Sequence, residues 1–464
     1  MILRLYRDAL FSKKKNYSKI VSQLLCFINL SKNKNLTSLS IKKYSDDSYR
    51  FKRNQVLNLL ISISIFFCIG FFMLFNSKIS SKLGKNKKVD IVINSRNKKI
   101  HDQFFSKISK KLNKFNTKIQ GETFDYPSIG NNFDIFVSLR IIFLILIFFP
   151  LLTLISIVSK KNYFQTIVRS ILIYSRTLNH FKSYPTIIYL TFEDNGCSPI
   201  FYDAFKNSGG YKLLAYQNGL RFKEKSLMGN CFDHLFCYGK SSLELYKHLN
   251  AQILNYDFVP SIILSNNKYL LKPKKEIIDV LFIDEGLPYS AENRFTFDFV
   301  RKNYLKQYIN DIIKFSRIYC NLNVVFQLRP YDSFQEELYK YAKSIFHNSH
   351  IKINKSIDSY ETYRQIQSSK IIVTNQSTIG IEALSMSKTA IFTNHSRKNN
   401  ILGNHPFQLN YKGYKSFEEI IIKFMNKKNE RLINQTSFFV TPAKNANTND
   451  ILYKRICEYL REFI

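Results

Sequence analysis

The stretch that most constrains the fold is residues 370–394, KIIVTNQSTIGIEALSMSKTAIFTN. It opens with an apolar, β-branched run at 370–374, which is typical of a strand buried on both faces. Three polar residues, 375–377, then break the strand and can cap a helix. A helical apolar pattern at 378–387 and a second apolar run at 389–393 follow. Strand, turn, helix and strand make one parallel crossover unit, so the sequence predicts an α/β sheet.

The turn inside this stretch is the first candidate site for a ligand. Open α/β sheets bind ligands beyond the carboxyl ends of their strands, and free N–H groups at the start of a helix attract phosphate. Asn375, Ser377 and Thr378 add polar side chains to those donors, and Glu382 follows one helical turn later. Most turns of this kind bind nothing, and Glu382 then serves only as a favourable charge near the positive helix end. Spacing alone leaves both interpretations open.

Patterns typical of strands and helices alternate at short intervals on both sides of a polar, lysine-rich stretch at 265–275. The alternation predicts an α/β fold with doubly wound sheets, and the polar stretch predicts a linker. The chain therefore divides into an N-terminal Rossmann-like half at 159–264 and a C-terminal half at 276–430. A tail at 431–464 ends in an amphipathic helical pattern.

The N-terminal third has a different character. A basic arm at 1–56 precedes an uncharged apolar run at 57–75, which is long enough to cross a membrane as a helix. A second apolar run covers 137–158, and the segment between the runs, 76–136, is typical of a small α/β segment or a loop. If both runs span, this segment faces the opposite side of the membrane from the rest. If the second run is only half embedded, residues 88–136 belong with the large domain; length favours the spanning hairpin.

The charge balance favours an anionic partner, because 69 Lys and Arg residues against 34 Asp and Glu give a formal net charge of +35. No nucleic-acid-binding motif accompanies this charge, so an anionic membrane surface is the expected partner. The glycine-rich fingerprint of dinucleotide-binding turns and the Walker A loop are both absent from the sequence. The seven cysteines form no CxxC pair and no Asp-x-Asp pair occurs, so we expect neither a metal site nor a resident cofactor.

Two carboxylates, Glu193 and Asp194, end a strand pattern at 186–192. A carboxylate at the carboxyl end of a strand, facing a cleft, can deprotonate a hydroxyl group of a substrate. The ordinary alternative is a turn or capping role, and the sequence does not decide between the two.

Ser377 and Thr378, followed by Glu382, resemble the donor-site motif of two-domain (GT-B) glycosyltransferases. The nearest families are bacterial surface-polysaccharide enzymes: capsule polysaccharide synthases, Kdo-transferase-like proteins and CDP-glycerol glycerophosphotransferases. The resemblance covers about residues 185–425 and implies two Rossmann-like domains. It also implies that the Ser/Thr turn, beginning at Asn375, holds the nucleotide phosphates and that Glu382 holds the ribose.

A second turn, Gln217-Asn218-Gly219, follows the strand pattern at 211–216, with Arg221 close behind. The resembling enzymes commonly have Gln-His-Gly at this place, where it lines the cleft on the acceptor side. Asn218 stands where they have the His, and an amide cannot act as a general base at neutral pH. The alternative is an ordinary strand-end turn that needs Gly219 for its backbone freedom.

Arg329 follows the strand pattern at 323–328 and precedes Pro330 and Tyr331. The resembling enzymes often have a basic residue, Pro and His here, so the His is missing from this chain. The planar fork of Arg329 suits a phosphate or a sugar carboxylate, whereas the alternative is a solvated strand-end arginine.

Together these observations predict a membrane-associated glycosyltransferase at the inner, cytoplasmic membrane, with its catalytic domain facing the cytoplasm. It would move a sugar, or a sugar-like phosphate, from a nucleotide-activated donor to a surface or capsular polysaccharide or a lipid-linked glycan. One alternative is a UDP-sugar epimerase-like enzyme of the same two-domain plan, against which the membrane-embedded runs argue. The other is a catalytically inactive glycan-assembly scaffold, which Asn218 and Tyr331 favour.

Overall fold

Two parallel β-sheets with helices packed against them form most of the described part of the protein. The computed structural model describes residues 163–221, 227–272, 275, 277–285, 299–329, 335–355, 360–396, 400–425, 429–444 and 446–464. Before residue 163 it describes residue 21, 77–78, 89–95, residue 104, 111–120, 133–134, 150–153 and 155–156.

The first sheet lies in the N-terminal part of the chain. The strands there are β1 (Ser77–Lys78), β2 (Val89–Asn94), β3 (Thr117–Gln120), β4 (Phe133–Asp134), β5 (Thr186–Thr191), β6 (Lys212–Tyr216), β7 (Cys231–Cys237) and β8 (Gln252–Phe258). Six of them form a parallel sheet in the order β3-β2-β5-β6-β7-β8, and β1 pairs with β4 separately. All residues of β5 and β7 are buried, as expected for strands covered on both faces.

The second sheet has five parallel strands. They are β9 (Ile278–Ile283), β10 (Val324–Gln327), β11 (Ile351–Asn354), β12 (Ser369–Thr374) and β13 (Thr389–Phe392). Their order is β11-β10-β9-β12-β13, so the chain crosses over β10 and β9 when it passes from β11 to β12. The two-sheet α/β fold predicted from the alternating pattern is confirmed.

The helices follow the strands as expected for crossover units. They are α1 (Tyr163–Ser183), α2 (Pro199–Asn207), α3 (Lys240–His248), α4 (Ile262–Asn266), α5 (Phe299–Ile318), α6 (Gln335–Phe346), α7 (Glu361–Gln367), α8 (Thr378–Ser385), α9 (Tyr414–Met425), α10 (Glu430–Asn434) and α11 (Thr448–Phe463). Residues 370–394 thus form β12, α8 and β13, as the sequence predicts.

The packing of α8 explains one glycine in this unit. A Cβ atom added at Gly380 would lie 2.5 Å from the Phe392 ring and 2.7 Å from the Thr374 methyl group. The absence of a side chain therefore lets the start of α8 approach β12 and β13 closely.

The stretch at 265–275, predicted to be a linker, is partly helical and packed. Ser265 belongs to α4, is buried, and its hydroxyl lies 2.8 Å from that of Thr448 at the start of α11. Arg455 of α11 also donates two hydrogen bonds to Asp257 of β8. The final helix therefore returns to the first domain.

Two strands of the segment between the two apolar runs, β2 and β3, belong to the first sheet. β2 pairs in parallel with β5, from Val89 opposite Thr186 to Asn94 opposite Thr191. This pairing is incompatible with the favoured membrane hairpin, which would place residues 76–136 on the opposite side from β5. The first sheet accordingly includes β2 and β3, which precede the predicted boundary at residue 159.

The described end of the second apolar run lies in the protein core. Leu151, Leu152 and Ile155 are buried in one hydrophobic cluster with Val92 and Tyr189, so they pack on β2 and β5. Among the described residues, no helix combines the length and the apolar character that crossing a membrane requires. The first apolar run, 57–75, lies outside the described residues.

Candidate functional site

The two predicted turns meet where the carboxyl edges of the two sheets face each other. The Leu220 amide, in the turn after β6, donates a 2.9 Å hydrogen bond to the Thr378 hydroxyl at the start of α8. The Cβ position of Gly219 lies 3.5 Å from the same hydroxyl. Residues 376–379 are only partly buried. The junction of the two domains therefore brings both candidate turns to one place.

The turn at Gln217-Asn218-Gly219 in the first domain is stabilised by hydrogen bonds of its own side chains. The Gln217 amide group donates to the Gly219 carbonyl at 2.9 Å and accepts from the Tyr238 amide at 3.1 Å. Asn218 donates to the Phe192 carbonyl at 2.6 Å. Gly219 has no positive φ, so the backbone freedom of glycine does not explain this residue.

Asp194 occupies an ion pair instead of facing the cleft. Its carboxylate is fully buried and accepts from Arg221 Nε at 2.8 Å, from a second Arg221 nitrogen and from the Tyr246 hydroxyl. Burial by itself would lower the pKa of the Arg221 guanidinium. The charge of Asp194 and its hydrogen bonds act in the opposite direction, and the pKa lies above its ordinary value. Asp194 therefore positions Arg221, which in turn donates to the side-chain oxygen Oδ1 of Asn218 at 3.1 Å. The prediction that Asp194 acts as a base is not supported by this geometry.

Glu193 is the carboxylate that remains as a candidate base. Its backbone amide is bonded to the Thr191 hydroxyl at 2.9 Å, and the residue is partly exposed at the carboxyl edge of the first sheet. Asn218 follows the neighbouring strand and bonds to Phe192, the residue before Glu193. Glu193 thus directly follows the residue that Asn218 contacts, and its role as a base stays a prediction.

The backbone amides at the start of α8 are largely hydrogen-bonded to other groups of the protein. Ser377 is the N-cap residue, and its hydroxyl accepts from the Ile379 amide at 3.3 Å. The Ser377 amide donates to the Thr374 hydroxyl at 3.1 Å. The Gln376 amide donates to Glu285 Oε1 at 2.5 Å, and the Asn375 amide also bonds to this carboxylate. In this structure these amide groups are therefore bonded to groups of the protein, and phosphate binding by the turn stays a prediction.

Glu382 lies in a buried polar cluster. It is 5% exposed and accepts a 2.9 Å hydrogen bond from the Tyr363 hydroxyl. Burial and the neighbouring Glu382 raise the pKa of Tyr363 well above its ordinary value of 10. Tyr216 and Tyr238 of the first domain are buried in the same region, where the charge of Glu382 also affects their pKa values. Glu382 therefore has a hydrogen-bond partner within its own domain, and its contact with a ribose stays a prediction.

Arg329 follows β10, and one strand, β9, lies between β10 and the strand that precedes the Ser377-Thr378 turn. Its backbone amide donates to Asp284 Oδ2 at 3.2 Å, and the residue is exposed after β10. Because β9 separates β10 from β12, the two strand ends are about 10 Å apart at the usual strand spacing. A long side chain can cover that distance, so contact between Arg329 and a phosphate stays a prediction. Pro330 and Tyr331 lie outside the described residues.

Glu285 is the site residue whose role the sequence did not reveal. It follows β9 directly, and its position after a buried strand was the available signal. Its contacts with Thr374, Asn375 and Gln376 span about 90 positions of sequence, which local patterns do not encode. Among the described residues, no group of three or more His, Cys, Asp or Glu side chains is arranged to hold a metal ion.

No protein-family model matches the chain, and no curated protein matches it. Several solved structures have a similar fold at low sequence identity. Staphylococcus aureus MnaA, solved with UDP, aligns over 82% of this chain and 98% of its own, with 11% identity and a TM-score of 0.49. Methanocaldococcus jannaschii UDP-GlcNAc 2-epimerase aligns over 80% and 100%, with 14% identity and a TM-score of 0.46. A Rickettsia africae glycosyltransferase aligns over 81% and 98%, with 12% identity and a TM-score of 0.42.

Proposed function

We propose that this protein is an enzyme that binds a nucleotide-activated sugar between its two α/β domains. The hydrogen bond between Leu220 and Thr378 carries the proposal, because it joins turns at the carboxyl edges of both parallel sheets. These edges are where open α/β sheets bind ligands, and junctions between domains are common places for substrate sites.

The hydroxyl groups of Ser377 and Thr378 are the proposed contacts for the nucleotide phosphates. Each hydroxyl oxygen accepts a backbone amide, from Ile379 and Leu220 respectively, which leaves its hydrogen to donate to a phosphate oxygen. The partly exposed Glu193 is the proposed general base, since it lies at the facing edge of the first domain.

Epimerisation of the bound sugar is the reaction that we place first. From the sequence alone, a membrane transferase is favoured over an epimerase because two apolar runs indicate a membrane-embedded enzyme. The burial of Leu151, Leu152 and Ile155 in the core of the first domain removes that support from the second run. An epimerase needs one nucleotide sugar and no acceptor, so a single site at the domain junction is sufficient for it.

Sugar transfer is the second candidate, favoured by the Ser377-Thr378 and Glu382 motif. Its finer forms, a capsule-type, Kdo-transferase-like or CDP-glycerol-dependent reaction with a glycan or lipid-linked acceptor, stay predictions. Attachment to the cytoplasmic face of the inner membrane also stays a prediction, as does the inactive scaffold that Asn218 and Tyr331 suggest.

Binding is tested by titrating the protein with UDP-, CMP-, GDP- and CDP-linked sugars. A Ser377→Ala, Thr378→Ala double variant should bind the accepted nucleotide at least tenfold more weakly, a change of about 1.4 kcal/mol. Ser344→Ala, in the exposed part of α6, is the matched control and should bind normally. Unchanged affinity in the double variant would remove the proposed phosphate site.

The reaction is identified by NMR of the accepted nucleotide sugar in D₂O. An epimerase produces an isomeric nucleotide sugar without an acceptor, whereas a transferase releases free nucleotide only when a glycan acceptor is added. Glu193→Gln should lower turnover by about 100-fold or more with binding retained. Glu244→Gln, exposed on α3, is its control. Normal turnover of Glu193→Gln would exclude Glu193 as the base.

A further inference from the structure

A carboxylate of the protein occupies the turn between β12 and α8. Glu285 Oε1 accepts the Thr374 hydroxyl and the Gln376 amide, each at 2.5 Å, and the Asn375 amide bonds to the same carboxylate. Two consecutive backbone amides and one hydroxyl thus converge on an anionic group at the carboxyl edge of a parallel sheet.

This set of donors is what a phosphate would require. Backbone amides and a hydroxyl at the start of a helix are the common ligands of phosphate oxygens. The side-chain nitrogen of Asn375 is fully buried in the same turn and has no acceptor among the described residues. The turn therefore offers more donor capacity than Glu285 uses.

The burial of Glu285 opposes its negative charge. Burial raises the pKa of this carboxyl group above its ordinary value, although the bonds from Thr374 and the turn amides act in the opposite direction. Two titratable groups that interact with it are Asp284, the residue before it, and Tyr308 on α5. The turn itself contributes no charged side chain. A proton can therefore be taken up by Glu285 when a second anion approaches.

We propose that Glu285 is an internal anion that holds the phosphate-binding turn in the ligand-free protein and must leave it or take up a proton when nucleotide binds. This inference rests on the proposed function and adds a residue that sets the affinity and its pH dependence. Because binding favours the neutral carboxyl group, nucleotide affinity should rise as the pH falls through the raised pKa of Glu285.

A purely structural role for Glu285 predicts the opposite change in nucleotide affinity when its carboxylate is removed. If its carboxylate only supports the turn, then removing the carboxylate loosens the turn and weakens nucleotide binding. If it competes with phosphate, then removing the charge strengthens binding. The direction of the change in affinity separates the two roles.

The experiment compares wild-type protein, Glu285→Gln and Glu285→Ala by calorimetric titration with UDP at pH 5.5 and pH 8. Glu285→Gln keeps an oxygen acceptor for the turn, so it reports on charge, and Glu285→Ala empties the position. Asp279→Asn is the matched control, because it removes a carboxylate from the opposite end of β9, where Asp279 pairs with Lys370. Thermal unfolding of each variant verifies that it is folded.

We expect Glu285→Gln to bind UDP about tenfold more tightly than wild type at pH 8, with a smaller difference at pH 5.5. UDP itself titrates in this range, but all proteins receive the same ligand, so the ratio between variants isolates Glu285. Titrations in buffers of different ionisation enthalpy should also show proton uptake by wild type that Glu285→Gln lacks.

Equal or weaker binding by folded Glu285→Gln and Glu285→Ala, with wild type binding normally, would overturn this inference and leave the proposed function intact. If no protein binds UDP or the CMP, GDP and CDP nucleotides at either pH, the proposed function fails and this inference fails with it. Tighter binding by both variants but not by Asp279→Asn would support it.

Discussion

Tyr363 donates a 2.9 Å hydrogen bond to Glu382, and both side chains are buried where helices α7 and α8 pack against β12. The charge of Glu382 also reaches Tyr238 of the first domain. The carboxylate therefore has a structural environment independent of any ligand, although the sequence motif suggests that it holds a ribose.

Tyr363→Phe tests this environment. Loss of one hydrogen bond to a buried carboxylate should lower the free energy of unfolding by about 2 kcal/mol, as measured by urea denaturation. Tyr339→Phe, on α6, is the control and should change stability little. If Tyr363→Phe keeps wild-type stability but weakens nucleotide binding tenfold, Glu382 faces the ligand and the structural role is wrong.

Arg221→Met tests the ion pair with Asp194. Asp194 is fully buried, so removing its partner leaves an uncompensated charge and should cost about 3–5 kcal/mol of stability. Adding Asp194→Asn should recover part of that loss in the double variant. Arg317→Met, at an exposed position of α5, is the matched control. A loss below about 1 kcal/mol in urea denaturation would show that the pair is not a structural requirement.

Gly239→Ala and Gly219→Ala form a matched pair. A Cβ atom at Gly239 would lie 2.6 Å from the backbone of Phe439, in the segment that leads back to the first domain. At Gly219 the nearest atoms lie 3.5 Å and 3.6 Å away, which is ordinary contact. Gly239→Ala should therefore lose about 1–3 kcal/mol in thermal or urea unfolding, while Gly219→Ala keeps wild-type stability. Equal losses in both variants would contradict this account of the packing.

The burial of His180 in α1 predicts that the first domain loses stability in acid. Burial, with Lys118 and Arg176 nearby, lowers the pKa of His180 to about 4 from the ordinary value of 6.5. The unfolded chain therefore binds this proton more readily than the folded protein does. The contribution to stability is complete above pH 6.5 and declines as the pH falls towards 4. His180→Gln should flatten the pH dependence of urea unfolding in this window, and an unchanged slope would show that His180 does not cause it.

Local patterns in the sequence were sufficient for most of the fold. Buried strands such as β9 and β12 show as short apolar runs, and a polar residue at each strand end marks the following turn. The edge strand β8 was not predicted, although Leu254, Tyr256 and Phe258 alternate with polar residues as in a half-buried strand. In the structure these apolar side chains are exposed.

The candidate site was only partly accessible to the same reasoning. Ser377 and Thr378 follow β12 directly, so their position at the domain junction could be predicted from the order of strand, turn and helix. The partners of Asp194 and Glu285 could not be predicted, because Arg221 and Gln376 come from other turns of the fold.

The sequence by itself determined the strands, the helices and the polar turns at the strand ends, because these depend on residues within a few positions of one another. Only the tertiary structure decided that β2 joins the sheet of β5 and that Glu285 fills the turn before α8. Both outcomes depend on contacts between residues about 90 positions apart, and such contacts are set by the packing of the whole domain and not by any local pattern.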